Sequence, residues 1–291
     1  MSNILIPNFL HGSLLAALAL GLLSCGRSER LTIHTGEAHG TTYRIKVPGR
    51  ARLDQLGIDK LLKQFDRDLS TWRDDSWVAE FNRAPAGTTM EMPETVATLL
   101  EMSETYHAET GGLFDPTIGA LIRIWGFGAW RAGHTADPSE EEIAAAREAS
   151  GFHNLEIDGR RITKLHDGLM LDFSGIAKGH AVDLIGDILS AAGHTDFLID
   201  FGGDILARGN APGREQGWKV AGPALESPVT LVNQSIATSG SDHNHRGTHS
   251  HIMDPRTGRP VPTGPPVAAT ADTCAEADAR ATAAWVGQAA R

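Results

Sequence analysis

Asp278 and Thr282 stand four residues apart in a stretch with helical patterning, so they share one helix face. A carboxylate beside a hydroxyl, with no thiol or imidazole in the pair, is a hard-oxygen donor set that suits Mg²⁺, above all where a phosphate completes the shell. An exposed aspartate and a threonine bonded back to its own helix is the plain alternative. Residues 171–183 read L-D-F-S-G-I-A-K-G-H-A-V-D. Leu171 and Phe173 alternate with Asp172 as a half-buried strand does, and Ser174 occupies an N-cap position. Gly175, Ala177 and Gly179 keep the backbone bare around one cation, Lys178. Such a helix N-terminus is a place for phosphate; a close-packed strand-to-helix turn is the alternative. Gly202 and Gly203 before Asp204 allow close backbone approach to a ligand, or simply a tight turn. Asp115, ahead of a proline, either accepts hydrogen bonds from a ligand or caps the short helix that follows. Trp72 and Trp77 sit in a polar stretch flanked by Arg73 and Asp75, where aromatics stack on a planar ligand or staple a loop to the core. His243, His245, His249 and His251 crowd into nine residues. Zinc is one reading; the loop-like spacing favours surface histidines with one functional member.

The elements that must position these residues follow from periodicity and punctuation. Two strands, 31–35 and 41–47, flank G-E-A-H-G as a hairpin. Residues 54–69 carry apolar side chains at near-helical spacing, and 93–110 form a helix with Pro93 in its first turn and Gly111-Gly112 stopping it. An exposed loop spans 131–139, and Ser139 starts an acidic helix to Ser150. Short strands are expected at 155–157, 161–164 and 169–173, with D-G turns at 158–159 and 167–168. A helix runs through 181–192, a strand at 197–201, and three more strands before Thr238. Residues 250–260 form a strand ending in a D-P-R-T-G turn, and 267–271 another. The last helix, 272–288, is capped by Asp272 or Thr273 with Glu276 close behind.

The 291 residues suit one large domain or two small ones with a substantial core. A net charge of −10 and a pI near 5.7 argue against nucleic acid, whose binding relies on phosphate neutralisation. Residues 10–23 are apolar or small apart from His11, and the stretch closes in L-L-S-C at 22–25. That core is too short to span a bilayer and reads as an export signal over residues 1–24. A small residue before Cys25 is similar to a bacterial lipobox, which would leave Cys25 as a lipidated N-terminus followed by a polar tether to residue 30. Only Cys274 then remains, so no intramolecular disulfide is possible.

Taken together, these segments resemble the ApbE family, the bacterial FAD:protein FMN transferases. The matching stretches, in order, are G-T-T-Y-R-I (40–45), L-S-T-W-R-D-D-S (69–76) and G-L-F-D-P-T-I-G through W-G-F-G (112–128). They continue with L-D-F-S-G-I-A-K-G (171–179), D-F-G-G-D-I (200–205), A-T-S-G-S (237–241), H-I-M-D-P-R-T-G-R-P (251–260) and T-C-A-E-A-D-A-R-A-T (273–282). The resemblance implies an α+β fold across residues 31–291, with mixed or antiparallel sheets, packed helices and an FAD cleft between subdomains. It implies FAD as substrate and Mg²⁺ at its diphosphate. FMN would pass to a threonine or serine of a target flavoprotein, releasing AMP. It further implies an exported, lipid-anchored protein on the periplasmic side.

Carried over residue by residue, the resemblance puts His39 where the family usually has a methionine beside the flavin, and Trp72 in place of a commoner tyrosine. Leu113, Phe114, Asp115, Lys178 and Ile252 would contact FAD. Gly175 and Ala281 through carbonyls, with Asp278 and Thr282 through side chains, would hold Mg²⁺. His251 and Asp278 are the candidates for the general base, His251 favoured by an ordinary pKa near operating pH. Family members typically run on past the point where this sequence ends, nine residues after Thr282, so less support for the last helix is expected. Two other functions fit the same residues: a Mg²⁺-dependent FAD pyrophosphatase, with water replacing the acceptor hydroxyl, and a lipid-anchored FAD-binding protein without chemistry.

Overall fold

The computed structural model describes residues 30–132, 136–214, 216–241 and 244–288. The expected signal segment and Cys25 lie outside the described residues, as does His243. Strands β1 (Leu31–Ala38) and β2 (Thr41–Pro48) form a hairpin whose two-residue turn has positive φ at His39 and Gly40. That geometry matches the right-handed twist of the strands and favours glycine at the second position. Helix α1 (Gln55–Leu69) starts where Asp54 accepts a hydrogen bond from the Gly57 N–H. Trp77, read with Trp72 as part of a polar loop, instead opens helix α2 (Trp77–Arg83), with the Ser76 hydroxyl accepting from the Ala79 N–H. At seven residues it is too short for its periodicity to stand out. Strand β3 (Thr89–Glu91) leads to α3 (Glu94–Glu109), then α4 (Gly119–Ile124) and α5 (Glu140–Ala149). A capping box between Ser139 and Glu142 starts α5.

Strands β4 (Leu155–Asp158) and β5 (Arg161–Lys164) join β3 in a small sheet ordered β3-β5-β4. The strand expected at 169–173 is extended but joins no sheet; its one bridge runs from Met170 to Ile118. Helix α6 (Ala177–Ala191) begins three residues after Ser174, so Ser174 is not its cap. The Ser174 N–H donates instead to Asp172, and the Ile176 and Ala177 N–H groups close a turn onto the Phe173 carbonyl.

Next come β6 (Phe197–Phe201), β7 (Asp204–Arg208), β8 (Trp218–Val220), β9 (Val229–Leu231) and β10 (Ser235–Ser239), one strand more before Thr238 than expected because β8 and β9 pair as a separate ribbon. Strands β11 (His245–Arg246), β12 (His249–Asp254) and β13 (Arg259–Pro262) make a second small sheet; β14 (Val267–Ala271) precedes α7 (Cys274–Gln288). The Thr273 hydroxyl accepts from the Glu276 N–H and so caps α7.

The principal sheet is six-stranded, ordered β1-β2-β6-β7-β10-β14, and every pairing in it is antiparallel. Helices α6 and α7 pack against each other and against this sheet. Along β6, Phe197, Ile199 and Phe201 enter the main core with α1 and α6, while Leu198 turns to the other face beneath Trp218, Val220 and Leu231 of the β8–β9 ribbon. Both faces are covered, which is why F-L-I-D-F reads as a nearly continuous apolar run. The result is the α+β architecture expected. Among the described residues, no helix is long and apolar enough to cross a membrane.

Candidate active site

A cavity of about 170 Å³ opens where α6, α7, the end of β10, β12 and the segment after α3 converge. Leu113, Phe114 and Asp115 line it from the segment after α3, Gly175 and Lys178 from the start of α6, His251 and Ile252 from β12, and Asp278 and Thr282 from α7. Nine residues singled out in the sequence are thus brought together. A groove of about 560 Å³ on the β1–β2–β6 surface, lined by Glu37, Arg44 and Asp200 among others, adjoins it through Gly202, which lines both.

The floor is an ion cluster. The Lys178 ammonium donates to Asp204 and lies 3.5 Å from Asp278. Asp204 is buried, and its second oxygen has no hydrogen-bond partner. Burial works against the lysine charge, but the two carboxylates outweigh it and hold the ammonium above the usual lysine range. Burial first, and then the neighbouring Asp278 carboxylate, push Asp204 up against the pull of Lys178. One cation between two carboxylates leaves a negative excess that a divalent cation would compensate.

The oxygen donors stand next to that excess. Thr282 Oγ1 is 3.3 Å from the Ser239 hydroxyl, and a Cβ on Gly175 would come within 3.2 Å of it, so a side chain there would require Thr282 to give by a few tenths of an ångström. Among the described residues, no three or more His, Cys, Asp or Glu gather as a metal site. The set is instead one carboxylate with the Thr282 and Ser239 hydroxyls, which fits a hard cation better than zinc. Ala281 does not line the cavity; its side chain packs with Ala237 and Ala277. The helix start expected to bind phosphate is already partly occupied: the Gly179 N–H donates to Asp278 at 3.2 Å.

His251 is fixed by one carbonyl. Its Nδ1 lies 2.9 Å from the Asn244 oxygen, which also accepts the His251 N–H. A carbonyl only accepts, so Nδ1 carries the proton and Nε2 keeps its lone pair. Burial holds the ring below the ordinary histidine range, and the Lys178 charge adds to this, while the Asn244 bond opposes it. The other described histidines of the cluster diverge: His245 meets the Gly247 carbonyl and His249 packs edge-on against Trp125. Asp115 is not a helix cap. Its Oδ1 accepts from both the N–H and the hydroxyl of Thr117, and burial raises its pKa against those bonds.

His39 and Trp72 lie outside the cavity lining. The His39 ring stacks on Phe65 at 6.2 Å and tilts against Phe201 at 5.7 Å, at the tip of the first hairpin. Trp72 is 72 % exposed. Asp172, Thr238 and Ser239, which line the cavity, and Asp204 beneath it all lie in stretches the sequence singles out, but none carries an expected role in the site. Asp172 sat inside the stretch already singled out, and Asp204 directly follows paired glycines.

Residues 39–291 match the ApbE family. A FAD:protein FMN transferase of Vibrio cholerae is 33% identical over 267 residues, covering 85% of this chain and 78% of that protein. One from Chlamydia trachomatis is 32% identical over 277 residues, covering 90% and 86%. Among solved structures, the apo form of the Pseudomonas stutzeri flavinyl transferase ApbE superposes with a TM-score of 0.80 at 34% identity, covering 88% of this chain and 84% of that one. The Vibrio cholerae flavin transferase ApbE superposes with a TM-score of 0.80 at 30% identity, covering 88% and 87%.

Proposed function

As this chain belongs to the ApbE family, we propose that it transfers FMN from FAD to a hydroxyl of a target flavoprotein, releasing AMP. The observation that carries this reading is the convergence in one cavity of a carboxylate–hydroxyl pair, a doubly paired lysine and a neutral histidine with a free ring nitrogen. The acceptor oxygen forms a bond to the FMN phosphorus. The bond from that phosphorus to the bridging oxygen breaks, and AMP leaves with the bridge.

Such transfer needs charge neutralised and groups aligned more than a covalent protein intermediate. Lys178 supplies a positive charge that its two carboxylates keep protonated. His251 Nε2 takes the hydroxyl proton. Asp278 is the weaker candidate for that task, since it already faces Lys178 and the Gly179 N–H. Asp278 and Thr282, with the Gly175 carbonyl, would hold Mg²⁺, which when bound offsets diphosphate charge and acts as a Lewis acid; Ala281, outside the cavity lining, drops out of the expected set. At about 170 Å³ the cavity is smaller than the roughly 300–1,000 Å³ that encloses a drug-sized ligand. It therefore takes the diphosphate region, with Leu113, Phe114 and Ile252 as its apolar wall. The acceptor is expected to present a threonine in a short exposed segment, and Cys25 to carry the lipid that anchors the exported protein.

The test is incubation with FAD and Mg²⁺, with and without a threonine-bearing acceptor domain, following AMP and FMN. AMP together with acceptor-bound FMN supports the transferase. AMP with free FMN in either case points to a pyrophosphatase, and bound FAD without AMP to a flavin-binding protein.

A further inference from the structure

We propose that Asn82 is a positioning residue of this site, a role that rests on the functional reading above. Residues 170–172 run extended into the cavity wall with no sheet around them. On one edge they lean on the segment after α3: the Gly119 N–H donates to the Met170 carbonyl at 3.0 Å, and the Asp172 N–H to the Pro116 carbonyl at 2.8 Å. Main-chain groups alternate sides along extended backbone, so Leu171 faces the opposite edge, where no strand lies.

There the Asn82 side chain takes the place of the missing strand. Its Oδ1 accepts the Leu171 N–H at 2.7 Å and its Nδ2 donates to the Leu171 carbonyl at 2.9 Å. Leu171 is fully buried, so both of its main-chain groups would otherwise lack partners. Only an amide does both jobs, because a carboxylate has no proton to donate and an alanine has neither group.

Asn82 is itself anchored. Lys164, fully buried, donates from Nζ to the Asn82 carbonyl at 3.0 Å and lies 3.4 Å from the Phe81 carbonyl. Those carbonyls end α2, where a cation is favourable. The chain of contacts runs from β5 through the end of α2 to Leu171, next to Asp172 and four residues before Gly175, both in the cavity wall. Asn82 touches no substrate; it fixes the backbone that presents Asp172 and the Gly175 carbonyl.

The experiment compares the full-length wild type with Asn82→Ala, Asn82→Asp and Leu231→Ala. The last is a control in the β8–β9 core, remote in the fold from this segment. FAD affinity is read by flavin fluorescence and metal affinity by Mn²⁺ titration, each beside a thermal melt. Asn82→Ala is expected to weaken both affinities at least tenfold, with Asn82→Asp between it and wild type, while Leu231→Ala lowers Tm but leaves both within twofold. A folded Asn82→Ala with a reduced Tm and both affinities within twofold of wild type overturns the proposal. Should Asn82→Ala not fold, Asn82→Asp decides by the same criterion. A wild-type chain that binds neither FAD nor Mn²⁺ overturns the functional reading, and with it the role given to Asn82.

Discussion

Helix α6 contains two buried glycines, Gly179 in its first turn and Gly186 in its interior, and they should respond oppositely to the same substitution. At Gly179 an added Cβ would lie 2.3 Å from the Cys274 carbonyl oxygen and 2.8 Å from the Ala275 Cα, both backbone atoms of α7. At Gly186 it would meet the Leu206 Cδ2 at 2.6 Å, the far end of a side chain that can rotate away. Alanine gains up to about 1 kcal/mol over glycine in a helix interior. For Gly186→Ala that gain largely survives. For Gly179→Ala, α6 and α7 must separate by about 1 Å to reach ordinary contact, and overpacking of this kind costs about 1–3 kcal/mol. The net expectation is a loss of about 1–2 kcal/mol for Gly179→Ala and no loss for Gly186→Ala, read by urea denaturation. The same separation would stretch the Gly179–Asp278 hydrogen bond from 3.2 Å and the Lys178–Asp278 contact from 3.5 Å. Activity should therefore fall more in Gly179→Ala than its stability alone explains. If Gly179→Ala proves as stable as Gly186→Ala, the close approach of α6 and α7 is not as described.

Asp278→Ala should abolish Mn²⁺ binding within the titratable range and AMP release with it; retained metal affinity would move the metal elsewhere. His251→Ala should slow transfer by about 10²–10⁴-fold and remove the acid limb of the pH–rate profile. Because burial holds His251 below 6.5, that limb should have its midpoint below 6.5 in wild type, and a midpoint above 7 would assign it to another group. Asp183 accepts the Cys274 and Ala275 N–H bonds at the start of α7, yet burial outweighs them and pushes its pKa up to about 6 from 3.8. The folded state thus holds this proton more tightly than the unfolded one. Its contribution to stability is full below pH 3.8 and lost as pH rises through 6, about 3 kcal/mol in all. Wild-type stability relative to Asp183→Asn should therefore decline between pH 4 and 7, and a flat difference in urea titrations would contradict this.

Local signals were most legible where one residue type decides the backbone. The hairpin around G-E-A-H-G, with its turn narrowed to His39-Gly40, the helix start at Ser139 and the cap at Thr273, one of the two residues open there, all stand where the sequence puts them. Legibility failed where a side chain replaces secondary structure. Residues 169–173 alternate like a strand, but their second partner is the Asn82 amide, 89 residues from Leu171, and no periodicity announces such a pairing. Ser174 has the chemistry of an N-cap, yet the Phe173 carbonyl closes a turn first and α6 starts later. In the site, motif residues on α7 and β12 were legible because function constrains their type. Asp204 was not, since its role depends on Lys178 reaching it from another element. His39 shows the reverse case: the motif position is legible, but the ring is spent on Phe65 and Phe201 rather than on the cavity.

The most direct measurement is the intact mass of a threonine-bearing acceptor domain after incubation with this protein, FAD and Mg²⁺. The account predicts a gain of one FMN, matched by one AMP released, and no gain with Asp278→Ala. An acceptor of unchanged mass, while FAD is cleaved to free FMN and AMP, would contradict it.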